Sequence, residues 1–197
     1  NYLLHPQSLF AQSSIDGDFF KEEFSYPNQR IIPCATPDPT VEQIIQSKAE
    51  VDEWLMQNEN RNRNQVVVYV IWHVIYASDG TGNISDNRII AQIEAMNQEF
   101  QNNNSNIFFS LDSINRVENT EWFTGWAYFG DALDDVGMQE LHYDPAHYLN
   151  IYSAQLYDSS AGSLVTLGYT AFPTNLSETS YMQGFTLDHR AVSGGLY

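Results

Sequence analysis

The sequence predicts an α/β fold: a sandwich of about five strands with a packed helix, preceded by an arm that is first extended and then helical. Three observations predict it. Residues 66–76 are apolar on both faces of an extended chain, as in a strand buried on both sides. A strand–helix–strand order follows, which implies a parallel pair with the helix crossing one face. A wholly polar run, Asn58-Glu-Asn-Arg-Asn-Arg-Asn64, separates this region from what precedes it.

The bulk numbers agree with a folded domain. The chain has 197 residues, 43% of them hydrophobic and 14% aromatic, enough to bury a core. Its net charge of −17 repels phosphate backbones and anionic lipid, so nucleic acid and membrane surfaces are poor partners. No stretch is apolar enough for insertion into a bilayer. Carboxylates in such number make calcium a candidate cation. The single cysteine, Cys34, rules out an intrachain disulfide and any cysteine-built zinc finger.

Residues 1–40 read as an arm. Prolines stand at 6, 27, 33, 37 and 39, and those around Cys34 force an extended path. Thr40 with Gln43 forms a capping box that starts a helix. Val41, Ile44, Ile45, Val51, Trp54 and Leu55 give that helix an apolar face, which predicts that it lies against something. After the polar run and the strand 66–76, Ser85 caps a second helix with Ile89, Ile93, Met96 and Phe100 on one side. Further strands are predicted at 107–114, 148–156, 164–172 and 182–192, with an aromatic, irregular stretch at 118–146.

Catalytic motifs are absent from these residues: no His-Glu-x-x-His, no Gly-x-Ser-x-Gly, no phosphate-cradling glycine loop. His142 and His147 flank Pro145 and cannot share a helix face as zinc ligands. His73, inside the most apolar strand, reads as a core histidine with bonded nitrogens. Asp131, Asp134 and Asp135 read as a solvated turn, lacking the calcium-loop spacing.

Four blocks carry a resemblance. The run 72–100, with His-Val-Ile-Tyr, Gly-Asn-Ile-Ser and a helix ending Met-Asn-Gln-Glu-Phe, is similar to the opening of pappalysin-family catalytic domains. Residues 116–123, then Pro145-Ala-His-Tyr-Leu-Asn-Ile-Tyr152, then Leu167-Gly-Tyr-Thr-Ala-Phe-Pro173 resemble that family's later blocks in the same order. The resemblance implies a metzincin-like (zincin) upper subdomain at 64–197, built on a mixed, twisted five-stranded sheet and preceded by a propeptide at 1–63. It also implies a secreted zinc metalloendopeptidase acting on protein or peptide substrates. The zinc-binding helix, with all three histidines and the general-base glutamate, is then expected beyond Tyr197. On that expectation these residues hold no catalytic group, need the missing catalytic half and are inactive by themselves.

Cys34-Ala-Thr resembles the Cys-Gly-Thr motif of pappalysin-like propeptides, with Ala35 in place of glycine. That implies Cys34 as the thiolate that ligates zinc and displaces the catalytic water. Activation is expected by cleavage at Arg61 or Arg63, in the least apolar linker. The match at 167–173 implies an edge strand that binds substrate through Leu167, Gly168, Tyr169, Thr170 and Ala171. Gly168 and Ala171 would leave room for the approaching peptide, and Tyr169 would alternate in exposure with Thr170. Two other readings remain at this point. One is a non-catalytic metzincin-like module that binds proteins. The other is a secreted α/β carbohydrate- or protein-binding domain using Trp122, Phe123, Trp126, Tyr128 and Phe129.

Overall fold

The computed structural model describes residues 25–26, 29–32, 34–57, 65–126, 132–158, 164–171 and 176–196. Four helices occur there: α1 (Val41–Gln57), α2 (Asp86–Asn102), α3 (Thr120–Gly125) and α4 (Ala132–Leu141). Nine strands form two sheets: β1 (Ser25–Tyr26), β2 (Gln29–Ile32), β3 (Val66–Tyr76), β4 (Ile107–Glu118), β5 (Tyr148–Ala154), β6 (Tyr157–Asp158), β7 (Leu164–Thr166), β8 (Gly168–Thr170) and β9 (Phe185–Asp188).

The main sheet runs β4-β3-β5-β9-β8. Its first four strands are parallel, and β8 is antiparallel to β9. The expected mixed five-stranded sheet is therefore present, and β3–α2–β4 is its parallel crossover unit. A smaller sheet runs β1-β2-β7-β6, with β2 parallel to β7.

From Val70 onward strand β3 is apolar on both faces because both faces are covered there. Val70, Trp72 and Val74 pack with Ile89 and Ile93 of α2, Phe109, Ile151 and Val192. Ile75 and Ala77 pack the other way, with Phe123, Trp126, Met138, Tyr152 and Tyr169. The aromatic stretch at 118–146 is more ordered than its lack of period suggested, since α3 and α4 lie within it. Phe123 and Trp126 are buried and Trp122 packs against them, so these rings are core and not an exposed ligand platform. Tyr128 and Phe129 lie outside the described residues.

Two expectations about helices need adjusting. The Thr40–Gln43 capping box is present, with Thr40 N–H donating to Gln43 Oε1 at 2.7 Å and Gln43 N–H to Thr40 Oγ1 at 3.2 Å. Yet α1 buries no residue; Ile45 is 64% and Trp54 56% exposed, so its apolar face is not packed on the sheet. Ser85 does cap α2 by its extended backbone, but its hydroxyl makes no capping bond.

Candidate functional site

The candidate site is the outer edge of β8, the terminal strand of the main sheet. The predicted strand 164–172 is in fact two strands, β7 and β8, broken at Leu167 and belonging to different sheets. Leu167 turns its carbonyl inward to accept from Asp188 N–H at 2.9 Å, which ends one ladder and begins the other.

Each residue of β8 is fixed from the interior. Tyr169 is 3% exposed, and its hydroxyl donates to Asp134 Oδ2 at 2.9 Å. Burial, reinforced by the Asp134 charge, pushes its phenol far above the ordinary tyrosine range. It stays protonated and a donor. Thr170 Oγ1 donates to the Gly184 carbonyl at 2.7 Å. Gly168 is buried, and a Cβ there would meet Thr186 O at 2.9 Å and the Leu187 side chain at 3.0 Å. The glycine thus makes room for β9, not for a chain approaching from outside, which corrects the reading from sequence.

Asp134 and Asp135 also differ from the solvated turn expected of them. They lie in the first turn of α4, where carboxylates suit the helix dipole. Asp134 is 3% exposed, and Asp135 Oδ1 accepts from the Tyr181 hydroxyl at 2.6 Å. Sequence reasoning missed this pair because a buried carboxylate and a surface one look alike until their tyrosine partners are known. Asp131 lies outside the described residues.

The outer side of β8 is occupied by the arm. Ala35 N–H donates to the Gly168 carbonyl at 3.0 Å, and Thr170 N–H donates to Thr36 Oγ1 at 3.0 Å. Upstream, Arg30, Ile31 and Ile32 pair in register with Leu164, Val165 and Thr166. The arm therefore runs parallel to 164–170, first along β7 and then along β8. Ala35 is 7% exposed and joins the cluster that holds Tyr169. Thr36 was not singled out from the sequence; only its place in the Cys34-Ala-Thr motif pointed to it.

Cys34, next to this contact, is exposed. No group of three or more His, Cys, Asp or Glu able to hold a metal occurs among the described residues. The described residues by themselves therefore do not build a zinc site. His73 has both ring nitrogens engaged, Nε2 with Asn150 Oδ1 at 3.0 Å and Nδ1 with Asn115 Nδ2 at 3.3 Å. His142 Nδ1 lies on the Gln139 carbonyl at 2.9 Å and His147 Nδ1 on Asp144 at 2.8 Å, as loop and helix-end residues. Arg61 and Arg63 lie outside the described residues. No helix of the described residues is long and apolar enough to cross a membrane.

No known protein-family profile matches the chain. Over 126 residues it is 34% identical to an extracellular metalloprotease of Arthroderma benhamiae and to one of Trichophyton verrucosum, and 35% identical to one of Arthroderma otae. Each alignment covers 62% of this chain and 41% of the relative, so the chain spans less than half the length of the curated relatives it matches. A promirolysin variant of Tannerella forsythia superposes with a TM-score of 0.54 at 22% identity, over 82% of this chain and 61% of that one. The mixed five-stranded sheet with its helices thus shares the α/β fold of that promirolysin variant.

Proposed function

We propose that this chain is the propeptide (1–63) and upper catalytic subdomain (64–197) of a secreted zinc metalloendopeptidase precursor, held latent by its own arm. The similarity to extracellular metalloproteases supports the reaction class, the hydrolysis of peptide bonds in proteins. One observation carries the latency: residues 35–36 take the amide and carbonyl groups on the outer edge of β8. A sheet edge has a single row of such groups. An extended substrate adding to that edge through Leu167–Ala171 competes with the arm for the same donors and acceptors. Substrate cannot bind there until the arm leaves.

Cys34 sits one residue before this contact and is exposed. In this reading its thiolate is one zinc ligand of the latent state, and the other ligands come from outside the described residues. Zinc, where bound, would supply a Lewis acid able to activate water. This chain's residues hold the arm and present the edge. Calcium remains a candidate second cation on charge alone.

The test uses the full-length precursor. Cys34→Ala should shorten the lag before peptidase activity appears, and mass spectrometry of the matured protein should find a new amino terminus between Asn60 and Val66, after Arg61 or Arg63. A Cys34→Ala precursor as latent as its parent removes the thiolate from the mechanism. A mature terminus beyond Val74 removes the proposed cleavage site, because it would delete most of β3.

A further inference from the structure

The face of the main sheet opposite α2 is covered only in part. Around the ends of β3 and β5 where these strands begin, it presents three tyrosines. Tyr69 and Tyr148 are cross-strand partners, with ring centroids 6.3 Å apart and planes inclined at 52°. Tyr143 meets Tyr148 edge-on, at 5.2 Å and 70°. Tyr69 is 49% and Tyr143 57% exposed.

The rings are held in place from behind. Asn150 is fully buried; it accepts from Tyr143 N–H at 2.9 Å and donates to the Tyr143 carbonyl at 3.0 Å. Two carboxylates rim the platform. Asp112 is the residue left unpaired where the β3–β4 register shifts between Val70 and Ile71. Asp144 follows Tyr143 directly, at positive φ. Both bear on the Tyr148 phenol, Asp112 most strongly, and together with neighbouring rings and slight desolvation they raise its pKa.

Exposed tyrosine faces carry negative electrostatic potential, and adjacent carboxylates deepen it. Such a surface repels anions and attracts cations. His147 Nδ1 already lies on Asp144 Oδ2 at 2.8 Å, which leaves Asp112 as the principal open rim carboxylate. The arginines are committed elsewhere: Arg88 to the carbonyls of 189, 192 and 193, Arg116 to Asp86, Asn83 and Ile84, and Arg190 to Asp188. With a net charge of −17, a second copy of this chain is a poor occupant.

We propose that Tyr69, Tyr143 and Tyr148, rimmed by Asp112 and Asp144, form a docking platform for an arginine- or lysine-bearing segment of another protein. A guanidinium stacks on an exposed ring face while its N–H groups donate chiefly to Asp112. The site lies away from the β8 edge and does not depend on the protease reading.

The test is fluorescence anisotropy with a neutral-capped hexa-arginine peptide and the full-length protein, at about 0.1 M salt, where diffuse attraction is screened beyond roughly 10 Å. Tyr69→Ser with Tyr143→Ser leaves the charge unchanged and should weaken binding about tenfold. Asp112→Asn should weaken it severalfold. Glu50→Gln on α1 makes the same change in charge at a distance and should leave affinity within about twofold. Both tyrosines are exposed, so thermal midpoints should stay level and any loss will not be due to unfolding. Parent-like binding by the double tyrosine variant overturns the proposal. So does a Glu50→Gln loss equal to that of Asp112→Asn, which would mean net charge alone. Tighter binding of a neutral cello-oligosaccharide at the same tyrosines would make this a sugar platform and equally refute the cation site.

Discussion

At the scale of residues, His73 links a local sequence signal to a pH dependence. Its neutral ring is the form the site accepts: Nε2–H donates to Asn150 while Nδ1 accepts from Asn115, and the ring stacks on Tyr152 at 4.8 Å. Burial lowers its pKa most; the Asn150 bond raises it, and the nearby His142 lowers it slightly. The sign then follows. Below the ordinary histidine value of about 6.5 the unfolded chain binds a proton that folded His73 refuses, so stability is complete above that pH and falls as pH drops towards the lowered folded value. His189 is shifted the same way, chiefly by burial. His73→Gln should therefore flatten only part of the fall in urea midpoint between about pH 7.5 and 5. An unchanged slope in that variant would show that His73 takes no part. The sequence revealed a core histidine because an imidazole amid Val, Ile and Trp has to be bonded. Its partners stayed hidden, because Asn115 and Asn150 are 42 and 77 residues away.

At the scale of elements, legibility tracked periodicity and local chemistry. Strand β3, the crossover helix α2 and the start of α1 could be read, the last because the Thr40–Gln43 box is a local device. Helices α3 and α4 could not. Gly125 ends one and Gly137 lies inside the other, and glycine normally counts against a helix. Gly137 is required there by packing: a Cβ would lie 2.3 Å from the Trp126 ring. The absence of buried residues in α1 has a measurable consequence. Thr40→Ala removes half of the capping box, worth about 1 kcal/mol to the helix. Because α1 buries no side chain, the loss should stay local. Hydrogen exchange should quicken about fivefold across Val41–Gln57 while the thermal midpoint of the sheet is unchanged. A drop of several degrees in that midpoint would mean that α1 is coupled to the body after all.

At the scale of the whole molecule, the main sheet has two edges, and they are protected differently. The β8 edge is covered by the arm. The β4 edge is long, and it carries a register shift at Asp112 together with exposed Asn115, Arg116 and Glu118. Bulges and charges on an edge strand oppose pairing with another sheet. Asp112→Ile should therefore promote concentration-dependent association, detected as rising light scattering, whereas Glu50→Gln on α1 should not. Equal scattering by the two variants would show that Asp112 does not guard the edge. The size of the main sheet and its parallel unit followed from the order of apolar runs, whereas the second, smaller sheet did not. The handover of 164–170 between two sheets did not, because it depends on which strand arrives alongside, and that strand is the arm.

The pairing of the arm also sets an order of assembly. Asn115 and His73, which meet across β3 and β4, are 42 residues apart, whereas Thr170 and Thr36 are 134 apart. Closing the longer loop costs about 1 kcal/mol more in chain entropy, and β8 must already stand beside β9 before the arm has that edge to join. The unit β3–α2–β4 can form early, and the arm comes to rest last. What docks last can leave first, so the arm can detach while the sheet beneath it stays folded. A folding history written by sequence separation thus gives the chain a removable cover.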